Sequence, residues 1–130
     1  MVVDTSALLA VFFQEHDSQV FEARLLAEPQ PKMSTGSLLE SALVVEVRKG
    51  VAGVRELDAL TARLNVAAVA VDSEQLIAAR EGFRRFGRGR HPAGLNFGDC
   101  FAYGLALALD EPLLFKGDDF SKTDVRSALA

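Results

Sequence analysis

Residues 1–8 read Met1-Val2-Val3-Asp4-Thr5-Ser6-Ala7-Leu8: a short β-like apolar run, an aspartate directly behind it, and hydroxyl residues leading into the apolar stretch 7–13. A strand that hands over at once to a helix is the opening of an α/β unit. Asp4 then sits where a first parallel strand ends, and ligands of open α/β sheets bind at the carboxyl ends of strands. Ser6 reads as the cap of the helix that follows.

The same alternation continues outward from that start and predicts a parallel sheet covered by helices on both faces. A second helix spans 18–27 with Val20, Phe21, Leu25 and Leu26 inward, and Glu28-Pro29-Gln30-Pro31 breaks it. Lys32-Met33-Ser34 is a short strand before a helix over 38–49, whose Leu39, Leu43, Val44 and Val47 supply its apolar face. Gly50 stops that helix, another runs over 54–64, and 66–71 reads as a buried strand. A helix over 73–86 leads into a glycine- and proline-bearing loop at 87–94, mobile by composition. Asp99 opens an apolar helix, 113–115 forms the last strand, and 124–129 a short closing helix.

A chain of 130 residues with 49% hydrophobic content is sized for one domain, 1–130, with a substantial core. The net charge of -4 gives no general attraction to nucleic acid, so any phosphate contact has to come from a local basic patch. Arg80, Arg84, Arg85, Arg88 and Arg90 form such a patch, with Glu81 the one acid near them in sequence. A single cysteine, Cys100, excludes an internal disulfide framework and suits a reducing cytoplasm. Two histidines far apart, His16 and His91, with no cysteine pair, argue against structural zinc. No signal peptide is expected, because Asp4 interrupts the first apolar run, and no apolar run is long enough to span a bilayer.

The acids carry the chemistry. Asp4, Glu40, Asp99 and the pair Asp118–Asp119 lie close behind apolar segments or in the first turn of a helix. Two like charges about 4 Å apart cost roughly 4 kcal/mol at an effective dielectric near 20. Convergent carboxylates therefore call for protons or a cation, and a hard divalent ion with oxygen ligands, Mg²⁺ or Mn²⁺, fits. Each acid has a plainer reading: Asp4 as a turn or cap residue, Glu40 as the last member of a Ser37-Leu38-Leu39-Glu40 capping box, Asp99 as capping partner of Asn96, and Asp118 or Asp119 as a turn residue. Phe83, Phe86 and Phe97 could stack on bases, with core packing the simpler role, and Cys100 reads as core.

Four blocks, in order, resemble the PIN-domain ribonucleases, in particular the VapC-type toxins of bacterial toxin–antitoxin pairs. They are residues 1–8, the lone Glu40 in Ser37-Leu38-Leu39-Glu40-Ser41-Ala42, Leu95-Asn96-Phe97-Gly98-Asp99-Cys100, and Leu113-Leu114-Phe115-Lys116-Gly117-Asp118-Asp119-Phe120. The resemblance covers essentially the whole chain. It implies a three-layer α/β/α domain with a parallel sheet of four or five strands, and an endoribonuclease using Mg²⁺ or Mn²⁺. By resemblance Asp4, Glu40 and Asp99 match the metal-site acids and Thr5 and Ser6 the flanking hydroxyls, while Asp118 and Asp119 compete for the fourth acidic position, the Asp-Phe order favouring Asp119. It also implies a homodimer silenced by a small VapB-type antitoxin. RNA would be held by Arg84, Arg85, Arg88 and Arg90. Two rivals remain: a phosphoryl-transfer or receiver-like domain phosphorylated on Asp4, although no second aspartate follows two residues on, and a binding module that kept the fold without catalysis.

Overall fold

A computed structural model describes residues 1–129. Its elements are β1 (Val2–Val3), α1 (Thr5–Phe12), α2 (Ser18–Ala27), β2 (Lys32–Ser34), α3 (Thr35–Arg63), β3 (Ala67–Val69), α4 (Ser73–Phe86), α5 (Phe97–Leu109) and β4 (Leu113–Leu114), followed by a 3₁₀ turn at Phe120–Lys122. The four strands form one parallel sheet in the order β3-β2-β1-β4. Successive side chains of a strand point to opposite faces, so Val2 and Leu113 enter one core with Leu95, Leu105 and Phe120. Val3 and Leu114 enter the other with Leu8, Leu25, Met33 and Val45. Helices α1, α2 and α3 cover that second face and α5, backed by α4, covers the first, giving the expected three layers. No helix among the described residues is long and apolar enough to cross a membrane.

Strand order reverses at β1: the chain steps outward to β2 and β3, then returns to place β4 on the other side. The crevice between β1 and β4 is thus the topological switch point, where a ligand site forms outside the strand ends.

Several local expectations are corrected. Asp4, not Ser6, caps α1, its carboxylate accepting from the Ser6 N–H. Helix α3 begins at Thr35 under a Ser34 cap, so Ser37 and Glu40 do not form a capping box. Gly50 does interrupt that helix, with φ 68° and ψ -168°.

The larger surprise is which face of α3 turns inward. Ser37, Ser41 and Val45 are buried, whereas Leu39, Leu43 and Val47 are exposed. Small hydroxyl side chains let α3 approach α1 closely, where Thr5 Oγ1 donates to the Ser37 carbonyl at 3.1 Å and Ser41 Oγ donates to the same oxygen at 2.8 Å. On α2, likewise, Phe21 and Leu25 are buried while Val20 and Leu26 face outward.

The strand within 66–71 is the short edge strand β3 and only partly covered. Residues 124–129 are not helical: Ser127 makes a parallel bridge to Leu113, adding a single bridged pair beyond β4. Helix α5 starts at Phe97 under Asn96, and Leu107 and Leu109 are part-exposed on it. The 87–94 loop is closed by a Gly87–Leu95 bridge and by His91 N–H and Arg90 N–H donating to the Gly87 carbonyl.

Candidate metal centre

Asp4 leaves β1 with its main-chain N–H donating to the Leu114 carbonyl of β4 at 2.9 Å. Its Oδ2 accepts from both Ser6 N (3.0 Å) and Ser6 Oγ (2.6 Å), while no hydrogen bond among the described residues falls on Oδ1. Ser6 is thus in contact with the acid it was expected to flank. Thr5 is not, since its hydroxyl ties α1 to α3, the helix that carries Glu40.

Asp99 occupies the third position of α5 in a reciprocal capping box: its N–H donates to Asn96 Oδ1 at 2.9 Å, and its Oδ2 accepts from Asn96 N at 3.0 Å. Capping and chemistry can coexist here, since a carboxylate at a helix N-terminus is stabilised by the helix dipole and the cap occupies only one of its two oxygens. Glu40 comes in against the same helix start, where Gly98 has no side chain to obstruct it: a Cβ at 98 would stand 2.0 Å from Glu40 Oε2.

Electrostatics tie these acids together. Burial pushes the Asp4 carboxyl up to about 6, an effect opposed by the Ser6 hydrogen bonds and reinforced by the charges of Asp99 and Glu40. Asp99 is also raised, by burial first, with the Asn96 hydrogen bond opposing and the charges of Asp119 and Glu40 adding to it. Asp119 therefore belongs to the field of the cluster. Asp118 is an exposed turn residue that is not among the acids acting on Asp4 or Asp99. Phe120, buried beside Phe115, anchors the turn that carries Asp119.

Among the described residues, no three His, Cys, Asp or Glu side chains are grouped tightly enough to chelate one ion directly. The donor set nevertheless suits a hard divalent cation: it is all carboxylate oxygen, mutually repelling, with Asp4 Oδ1 free and Gly98 leaving room for Glu40. Mg²⁺ characteristically keeps several waters and takes only one or two carboxylates directly, which matches acids that share a field without converging on one point.

The arginines divide. Arg84 pairs with Glu81, and Arg85 pairs with Asp124 at 3.1 Å, so the patch has a second acid that the sequence order hides. Arg88 and Arg90 are exposed with no carboxylate partner among the described residues, as is Arg80. Arg80 and Arg88 border an apolar groove of about 820 Å³ between α4 and α5, with Phe83, Phe97 and Cys100 also lining it. Of the three phenylalanines, only Phe86 is buried; Phe97 is 80% exposed. Cys100 is half-buried rather than core, its thiol pushed up by burial and by Asp99.

Gly98 and Lys116 are the positions that motif reading passes over. A glycine in the first turn of a helix, beside an acid, is the one local signal for the former; for the latter the contacts are remote in sequence and leave none.

Comparison with known proteins bears on the whole chain. The PIN domain family model matches residues 1–126. A ribonuclease VapC of Mycolicibacterium smegmatis is 53% identical over 125 residues, covering 96% of this chain and 97% of its own. Ribonuclease VapC30 of Mycobacterium tuberculosis is 54% identical, covering 96% and 95%. Among solved structures, M. tuberculosis VapC20, described as a sarcin-ricin loop cleaving toxin, superposes with a TM-score of 0.76 at 16% identity over 95% of both chains. VapBC2 of Rickettsia felis, bound to a DNA fragment from its promoter, gives 0.73 at 16% identity over 97% of this chain and 94% of that one. These two structural likenesses speak to the fold, which they share with the sheet and helices described above. With the family model spanning nearly all its residues and half of its positions shared with VapC relatives, the chain belongs to the PIN-domain family, in its VapC branch.

Proposed function

We propose that this chain is a Mg²⁺- or Mn²⁺-dependent endoribonuclease, one domain in extent, that acts in the cytoplasm as the toxin of a toxin–antitoxin pair and arrests growth when free. The observation that supports the reading is that Asp99 and Glu40 raise the Asp4 carboxyl, and Asp119 and Glu40 raise Asp99, with Asp4 at the end of β1 bonded to β4 at the switch point. VapC relatives that carry the name ribonuclease support the substrate class.

Asp4, Glu40, Asp99 and Asp119 would hold the cation. When bound, it lowers the pKa of water and offsets charge on the transferring phosphoryl group. Ser6 fixes the Asp4 carboxylate by occupying Oδ2, which leaves Oδ1 for the site. The Asn96 cap fixes Asp99, and the Thr5–Ser37 bond fixes the helix that brings Glu40. Arg88 and Arg90, having no internal acid, would take the phosphate backbone; Arg84 and Arg85 would contribute less because Glu81 and Asp124 already hold them. Nothing in this arrangement calls on a 2′-hydroxyl, so preference for RNA would arise from shape and base contacts away from the acids.

Membership of the VapC branch supports a VapB-type antitoxin as partner. A homodimer is supported by the exposed apolar ridge of Leu39, Leu43 and Val47 along α3 and, separately, by the apolar groove beside α5.

The test is incubation of the purified protein with total RNA in Mg²⁺, in Mn²⁺ and in chelator. Cleavage restricted to the metal-containing samples is expected. RNA left intact in both metals, at concentrations where the protein is folded, would remove the nuclease reading.

A further inference from the structure

Lys116 lies two residues beyond β4 and reaches back across the site's edge. Its ammonium pairs with both Glu15 and Asp17, the latter at 3.0 Å, in the turn between α1 and α2. Its own main-chain N–H donates to Ser6 Oγ at 3.0 Å, and Ser6 Oγ donates to Asp4 Oδ2 at 2.6 Å. We propose that Lys116 is a positioning residue for the metal centre, its side chain holding the strand end so that its main chain orients Ser6 and, through Ser6, the Asp4 carboxylate.

Ser6 Oγ has one proton to give, and because an N–H arrives on its oxygen from Lys116, that proton is directed away, onto Asp4 Oδ2. With a second bond from Ser6 N on the same oxygen, the carboxylate is held in one rotation, and Oδ1 carries neither bond. Losing an outer partner that orients a metal ligand typically costs about 10–100-fold in metal affinity.

The lysine side chain matters because the sheet does not hold residue 116. Ladder pairing ends at Val3–Leu114, and Gly117, with φ 98°, already turns the chain away. Between those points, Phe115 packs against the core on one side, and the grip of the ammonium on the α1–α2 turn supplies the other hold on the Lys116 main chain. Exposed ion pairs add little to overall stability, so the device is one of placement rather than of folding energy.

This inference rests on the metal reading proposed above, and one experiment separates the two. Mn²⁺ binding to the full chain is titrated by calorimetry, without RNA, for wild type, Ser6→Ala, Lys116→Ala, the double variant and Lys116→Arg, with the melting temperature of each recorded. Ser6→Ala should raise the Mn²⁺ dissociation constant about tenfold, and Lys116→Ala should raise it about three- to tenfold. Lys116→Arg, which still reaches both acids, should stay within about twofold of wild type, and the double variant should be no weaker than Ser6→Ala alone, as a shared path requires. Additive losses, or wild-type affinity in Lys116→Ala whatever its melting temperature, would overturn the positioning role. Should Lys116→Ala not fold, Glu15→Gln combined with Asp17→Asn opens the latch from its other end; a rise in the dissociation constant supports the proposal and none overturns it. Failure of the wild type itself to bind Mn²⁺ would bring down the metal reading, and this inference with it.

Discussion

Gly98 stands so close to Glu40 that a Cβ placed on it would lie 2.0 Å from the carboxylate oxygen Oε2. The obstructed atom is the far end of a flexible side chain, so Gly98→Ala should swing Glu40 out of the site and leave the backbone where it is. Alanine within a helix is favoured over glycine by about 1 kcal/mol, so thermal stability should hold or rise while RNA cleavage falls by about tenfold or more. Unaltered cleavage in Gly98→Ala, with raised melting temperature, would mean that Glu40 is not needed where it sits.

Asp4→Asn should abolish cleavage yet stabilise the metal-free protein near neutral pH. The folded-state carboxyl is raised from 3.8 to about 6, so between those values the folded chain binds a proton that the unfolded chain has lost. The stability from this group is fully present below the unfolded value and is gone once pH has risen through about 6. Asparagine keeps the cap without the charge, so in chelator the variant should exceed wild type near pH 7 by about 1–3 kcal/mol. The gap should close as pH falls through 6 toward 4. Thermal unfolding across that range decides it, and a gap independent of pH would remove the buried-charge explanation.

Asp118→Asn and Asp119→Asn should part company. Of the two, Asp119 alone is among the charges that raise Asp99, and the buried Phe120 follows it. The Mg²⁺ concentration for half-maximal cleavage should rise by about tenfold in Asp119→Asn and change little in Asp118→Asn. The reverse order would reassign the fourth acid to Asp118.

Replacing Arg88 and Arg90 together by alanine should weaken RNA binding and flatten its log–log salt dependence by about 0.7 for each lost contact on a single strand. The matching change at Arg84 and Arg85 should do less, because Glu81 and Asp124 already neutralise them. Filter-binding titrations over a range of salt, in chelator so that no strand is cut, give the slopes. Equal slopes in wild type and Arg88/Arg90 variants would assign those two arginines to something other than phosphate.

If the proposed homodimer uses the α3 ridge, Leu43→Glu should leave a monomer without unfolding the chain, since residue 43 already faces outward on α3. A charge in the middle of the Leu39–Leu43–Val47 ridge has to be desolvated for that ridge to be covered, at a cost well above what an exposed substitution carries. Sedimentation equilibrium measures the outcome; an unchanged mass would place the dimer contact elsewhere or show the wild type to be monomeric.

The sequence alone determined a good deal of this protein. Val2-Val3 and Leu113-Leu114 are short apolar runs of the kind a strand buried on both faces shows, and their alternation with helical segments predicted a parallel sheet under two helical layers. Asp4, directly behind the first strand, could be read as a candidate site acid from its position alone, whereas the sequence left Asp118 and Asp119 as competing candidates beyond the last strand. Other decisions belonged to the tertiary structure. Periodicity says which residues of α3 share a face, not which face meets the core, and the close approach of Thr5 gave that place to Ser37, Ser41 and Val45 over the larger leucines. Pairing of Arg85 with Asp124 and the reach of Lys116 to Glu15 and Asp17 both join residues with no local relation to one another. Such contacts form only when the chain closes on itself, because long side chains pair by distance in space, and distance in space is what a linear pattern of charges and apolar residues does not encode locally.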